Sequence, residues 1–271
     1  MAAPWTWSQG IGAVRHNLRG NEMSNRLGLL AGAAVLALGM GAADAAVVTI
    51  ENITATWQNV VGGGGGSVIS TPGLGGADTS VRWPSSGAQS GYDFTIAADP
   101  INVALPPDPS PFTLGTFNHL NFPIPAGSGI SSVQLAITAD ISVDGTPVGN
   151  KMFVFDFNHW ETPNADDPCA DGGANGVGVN VNGCADQVTF ATSGLSETFE
   201  VAGVLYTLTL SGFVDAGGNT VTEFWTVENS NNIAQLVGQV ERVTVPEPAS
   251  LALLGMGLLG LGFAARRRKA A

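Results

Sequence analysis

Between residues 46 and 245 apolar and polar positions alternate with a period of two, in one short run after another. In one such run Val133, Leu135, Ile137, Ala139, Ile141 and Val143 are interleaved with the mostly polar Gln134, Thr138, Asp140 and Ser142. Successive side chains of a strand point to opposite faces, so this is the pattern of a strand with one buried face. KMFVFDF repeats it through Phe153, Phe155 and Phe157, and Val204, Tyr206, Leu208 and Leu210 form another run. VVTIENITATW, SVRW, YDFTIAA, FTLGTFNHL, QVTFAT, TEFWTVE and IAQLVGQVERVTV complete a set of about ten. Asp144-Gly145, Asn182-Gly183 and Gly217-Gly218-Asn219 supply turn signals between some of them. No helical period is sustained over this stretch. The pattern predicts an all-β domain, an antiparallel β-sandwich or jelly-roll.

The two ends read differently. Residues 1–22 carry no sustained period and look like an upstream misread start, with Met23 the expected initiator. From there Arg26 supplies a positive segment, Leu27 to Met40 an apolar one, and Ala43-Asp44-Ala45 a small-residue cleavage site. This is the layout of a secretory signal peptide over residues 23–45, removed by signal peptidase. At the other end Ala249 to Ala265 is apolar or small apart from Ser250, and Arg266, Arg267, Arg268 and Lys269 follow at once. About 17 helical residues span roughly 26 Å, close to the hydrocarbon thickness of a bilayer. A basic cluster after such a transmembrane helix holds the end in the cytoplasm. The expected organisation is a signal helix at 23–45, an exported domain at 46–245 and a C-terminal segment at 246–271, with the span at 249–265 and the basic tail at 266–269.

Pro246, Glu247 and Pro248 stand just before the apolar segment. Together with it and with Arg266, Arg267 and Arg268, they resemble the PEP-CTERM sorting signal of Gram-negative bacteria. The resemblance implies an inner-membrane intermediate, recognition by an exosortase and cleavage near Pro-Glu-Pro. It further implies a cell-surface or extracellular-matrix destination, of the kind associated with exopolysaccharide and biofilm. The prolines fit a peptide that must stay extended for a membrane enzyme, because they block strand and helix pairing.

Charge narrows the partners. Only Arg82, Lys151 and Arg242 are basic within residues 46–245, against 19 acidic residues, a net charge of −16. Such a domain repels nucleic acid and anionic lipid, and favours cations or plain solubility. The two cysteines, Cys169 and Cys184, both fall in the exported part, where an even count argues for a disulfide. A catalytic thiol is the rival reading, and no Cys-His motif accompanies either sulfur.

Residues 114–124, LGTFNHLNFPI, resemble the motif of the THxN family of PEP-CTERM proteins, related to the choice-of-anchor K domain. His119, Asn121, Pro123 and Ile124 agree with that pattern, while Asn118 stands where Thr is usual. Glu161-Thr162-Pro163-Asn164 and Gly183-Cys184-Ala185-Asp186 also look like that family. The resemblance implies fold and destination, not an activity.

Chemistry is sparse. His119 and His159 are the only histidines within 46–245, each preceded by Phe-Asn. With Glu161 they could ligate zinc if strands bring them together. The plainer reading is that each imidazole fixes a turn through backbone hydrogen bonds. Asp166, Asp167, Asp171 and Asp186 surround the cysteine loop, with Asn164, Asn175, Asn180 and Asn182 beside them. Hard oxygen ligands on an extracellular loop suit calcium, although the spacing matches no EF-hand. Trp57, Trp83, Trp160 and Trp225 are either a sugar-stacking platform or core. No nucleophile-elbow, metalloprotease or Ser-His-Asp pattern is present, so no catalytic residue is assigned. The leading expectation is a structural or adhesive protein, the second a carbohydrate-binding module and the third a polysaccharide-active enzyme.

Overall fold

The computed structural model describes residues 46–105, 111–214 and 217–243. The expected signal peptide, Pro246, Glu247, Pro248, the expected transmembrane segment and the Arg cluster lie outside them. Among the described residues no helix is long and apolar enough to cross a membrane.

The described residues form fourteen strands: β1 (Ala46–Gly62), β2 (Val68–Ser70), β3 (Thr79–Trp83), β4 (Ser90–Ile96), β5 (Ile101–Leu105), β6 (Phe112–Asn121), β7 (Ile130–Val143), β8 (Thr146–Trp160), β9 (Asp186–Thr192), β10 (Phe199–Val201), β11 (Val204–Val214), β12 (Thr220–Val221), β13 (Glu223–Thr226) and β14 (Ser230–Arg242). One sheet has six strands in the order β13-β9-β8-β7-β1-β5. The other has eight, in the order β10-β11-β14-β6-β4-β3-β2, with β12 on β11. Every paired strand is antiparallel.

The alternation read along the sequence decides which side chains meet. Val133, Leu135, Ile137, Ala139 and Ile141 of β7 are all buried, as are Phe153, Phe155 and Phe157 of the adjacent β8. The facing sheet contributes Tyr92, Phe94, Phe117, Leu208, Phe213 and Leu236 to the same core. Rings interlock across the two layers: Phe157 stacks on Phe117 with centroids 5.5 Å apart, and Trp57 meets Tyr92 at 5.5 Å. The all-β expectation holds, as two curled antiparallel sheets sharing one apolar interior. Strands β5 and β6, on either side of the proline-rich 106–111, belong to different sheets but feed this one core.

Two local features hold the long strands in register. The β7–β8 hairpin turns at Asp144-Gly145, both at positive φ (48° and 76°), as a tight two-residue hairpin demands. Asp144 also accepts the backbone N–H of Val47 at 2.8 Å, tying the turn to β1. Within β1 the pairing with β7 slips between Glu51 and Thr54, at Asn52, whose φ is 53°. Such a bulge leaves N–H groups without ladder partners. Here the N–H groups of Asn52 and Ile53 both reach the Asp99 carboxylate at 3.0 Å.

Candidate functional site

The two histidines are not turn residues. His119 lies within β6, opposite Tyr92 on one side and Asn232 on the other. His159 lies near the end of β8, opposite Val188. Their strands belong to different sheets, yet both point inward, and the rings meet edge to face with centroids 5.1 Å apart. Asp186, the first residue of β9, joins them from the six-stranded sheet. His119 and Asp186 are fully buried and His159 is 6% exposed. One ligand atom from each of the three lies within 4.8 Å of the others. Trp83 and Tyr92, both fully buried, pack on both imidazoles and form the apolar wall of the cluster.

Hydrogen bonds fix the tautomer of His119. The Thr226 hydroxyl has one hydrogen, and it donates to the Asp186 backbone carbonyl at 3.1 Å. Toward His119 Nδ1, 2.9 Å away, the hydroxyl oxygen therefore accepts. The proton of neutral His119 is on Nδ1, and Nε2 keeps its lone pair. Nε2 is buried and has no hydrogen-bond partner. Asn121 donates to the Thr226 carbonyl at 3.1 Å and to the same hydroxyl at 3.3 Å, so the spacing His-x-Asn places two side chains of one strand face on one threonine.

His159 faces the Tyr92 hydroxyl through Nδ1 at 2.7 Å and the Glu161 carboxylate through Nε2 at 3.3 Å. A hydroxyl can donate or accept, so Tyr92 holds this ring in either tautomer. Asp186 accepts the N–H of Thr162 with Oδ1 at 2.7 Å, while its Oδ2 is buried without a partner. Glu228, 1% exposed, completes the cluster beside the side-chain amides of Asn121 and Asn164.

Burial sets the charges. It drives His119 well below the usual imidazole range, helped by the neighbouring His159. It lowers His159 to about 4, against the pull of Asp186. Both rings are neutral at pH 7. The same burial raises Glu161 to about 7. Asp186 rises to about 7 through burial and then Glu161, and Glu228 does so for the same two reasons. Among the described residues the Lys and Arg ion pairs, Arg82 with Asp93 and Lys151 with Glu197, involve none of these acids.

The other anticipated ligands are placed differently. Asp166, Asp167 and Asp171 are exposed on the cysteine loop, and no three of the four aspartates form a ligand group among the described residues. The loop's oxygens are already engaged by its own donors. The Asp171 carboxylate accepts the Asn180 amide at 2.9 and 3.0 Å and the Gly173 N–H at 2.9 Å, bonds that lower its pKa. Asn175 N–H donates to Asp167 at 3.3 Å, and the Asn175 side chain clamps the carbonyls of Asn164 and Asp166 at 2.9 Å. Asp186 thus belongs to the histidine cluster rather than to a calcium loop. Pro123 is exposed and Ile124 packs partly on the core, so of the four motif residues only His119 and Asn121 enter the cluster.

Comparison with known proteins bears on the opposite end of the chain. Residues 244–269 match the PEP-CTERM protein-sorting motif. The chain is exported and sorted. The motif implies recognition by an exosortase and delivery to the cell envelope or surface. Comparison with the curated proteins gives no match. The disulfide suits an exported PEP-CTERM chain: Cys169 and Cys184 are bonded, with Cα atoms 5.3 Å apart.

Sequence reasoning missed Tyr92, Thr226 and Glu228. Tyr92 and Thr226 could have been found from strand phase. Tyr92 shares the inward phase of Phe94, and Thr226 falls two residues after Phe224, which packs on the core.

The tryptophans divide cleanly. Trp57 and Trp83 are buried in the core, while Trp160 is 51% exposed and Trp225 half-buried. His159 and Thr226 point inward, so their neighbours Trp160 and Trp225 point outward. Both are in register with Gln187 of β9, one from each side, and their rings lie 6.3 Å apart on the outer face of the six-stranded sheet.

Proposed function

We propose that this exported chain is an adhesive protein of the cell surface or extracellular matrix that holds exopolysaccharide. The observation that carries the reading is the Trp160–Trp225 pair on an outer sheet face. Trp160, half exposed, and the half-buried Trp225 beside it present adjoining aromatic surface on an outer sheet face, the kind of patch that marks a binding site. Flanked by Gln187, whose amide donates to Glu223 at 2.7 Å, they combine ring faces with hydrogen-bonding groups. Sugars present the complementary surface: apolar C–H faces rimmed by hydroxyls. A carbohydrate-binding module, the second reading, would use the same two rings, and the THxN resemblance agrees with the surface destination.

The test is binding of the purified full chain to exopolysaccharide from its own host. Binding without depolymerisation is expected. The double substitution Trp160→Ala/Trp225→Ala should weaken it by at least about tenfold, the equivalent of 1.4 kcal/mol. Because these rings face solvent, melting should barely change. Equal binding by the double variant removes the site, and shortening of the polymer replaces adhesion with catalysis.

Processing gives a second check. Mature protein from the host should begin at Ala46 and lack the Arg266–Lys269 cluster. Glu247→Ala should leave uncleaved precursor in the inner membrane, since the span alone does not direct release. Intact mass of the surface fraction decides this, and retention of the basic cluster there counts against cleavage.

A further inference from the structure

We infer that His119, His159 and Asp186 form a buried structural site for one divalent transition-metal ion of the zinc class, joining the two sheets. Three observations converge on it. The ligand atoms come from both layers, His119 from the eight-stranded sheet and His159 and Asp186 from the six-stranded one, and gather within 4.8 Å. Two polar atoms of these ligand residues, His119 Nε2 and Asp186 Oδ2, are buried and unpartnered. Native interiors rarely leave such atoms bare, and an ion is one of the standard reasons. Finally, the bare nitrogen of His119 is the one with a lone pair, because Thr226 fixes the proton on Nδ1.

The supporting shell is the one a metal site needs. A metal-bound imidazole is normally oriented by a hydrogen bond from its other nitrogen. Thr226 does this for His119 and Tyr92 does it for His159. Glu161, 3.3 Å from His159 Nε2, stands where it can supply a fourth ligand. Tetrahedral zinc with bonds near 2.1 Å holds its ligand atoms roughly 3.4 Å apart, so the site closes on the ion by small side-chain rotations. Two neutral imidazoles and carboxylates suit zinc, cobalt or a similar ion; calcium and magnesium prefer shells made of oxygen alone. Since all three residues are almost wholly enclosed, the ion holds structure and does not meet substrate.

The experiment uses the untagged full chain, purified in detergent without chelators. Elemental analysis should find about one zinc per chain, and X-ray absorption at the zinc edge should show two imidazoles with carboxylate oxygen. Cobalt(II) should replace it and give the visible absorption of a four-coordinate nitrogen–oxygen site. Zinc should raise the melting temperature by several degrees over the chelator-treated chain, with calcium and magnesium leaving it unchanged. His119→Gln should abolish the cobalt spectrum and Asp171→Asn, in the cysteine loop, should preserve it. Where His119→Gln does not fold, the wild-type absorption edge decides alone. Superimposed melting curves with no retained metal, a shell of water oxygens, or a cobalt spectrum that survives in folded His119→Gln overturns the site, as does its loss in Asp171→Asn.

Discussion

Phe157→Ala should cost about 3–5 kcal/mol of folding stability, the range for deleting a buried aromatic ring. Phe157 is fully buried on β8, between Val133 and Phe190 of the adjoining strands. Its ring meets five others: Trp57 at 5.3 Å, Phe117 at 5.5 Å, Phe190 at 6.0 Å, and Tyr92 and Phe213 at 6.4 Å. These neighbours come from both sheets, so none can follow the lost ring into the gap without dragging its own strand. The cavity should therefore stay largely open, which puts the loss toward the upper end of the range. In a domain of roughly 200 residues each kcal/mol is worth about 2–4 °C, so melting should fall by about 10 °C or more. Urea unfolding of wild type and variant measures it directly. An unchanged slope with a lower midpoint is expected; a loss under 1 kcal/mol would mean that the two layers do not depend on this ring.

How far the fold was legible follows from where information sits in a strand. Each of the ten predicted runs lies on an observed strand, because burial of one face enforces alternation over many residues. Four strands were missed. β2, β10 and β12 have only two or three residues each, too few for a period to show. β5 alternates well, with Ile101, Val103 and Leu105 buried, but has only five residues directly before a proline-rich stretch, so its period was passed over. The site was less legible for a different reason. Which residues share an interior depends on strand order, and β6 meets β8 only through the facing of two sheets. His119 and His159 were recognisable as candidates, and the register of β9 decided that Asp186 joins them. One glycine of the motif was also beyond sequence: a Cβ on Gly115 would fall 2.4 Å from the Phe94 ring and 2.5 Å from the Thr95 carbonyl, a close approach visible only once β4 lies against β6.

Removing the disulfide with Cys169→Ala/Cys184→Ala should cost about 3 kcal/mol, the chain-entropy value for a loop of this size. The bridge closes a sequence separation of 15. That loop is rich in glycine, and several of its glycines sit at positive φ, including Gly172, Gly176, Gly178 and Gly183. Freed from the bridge, such a segment gains more conformational freedom on unfolding than an average one. Its internal bonds offset part of the loss. Asn180, 1% exposed, holds Asp171 through its amide and accepts the Ala185 N–H at 2.8 Å, and Asn182 reaches the Glu228 carbonyl at 3.1 Å. These contacts keep the folded loop in place but do nothing to restrain the unfolded chain, so the entropic cost remains. The effect should reach beyond the loop, because Cys184 stands two residues before Asp186, whose carboxylate takes the Thr162 N–H. Hydrogen exchange at Thr162 should therefore quicken in the double variant while the amides around Phe157 stay protected. In wild type, thiol labelling of the unfolded, unreduced chain should give no adduct. Two labelled thiols would show that the bridge does not form in the protein, and an unchanged urea midpoint in the variant would show that the asparagine bonds, and not the sulfurs, fix the start of β9.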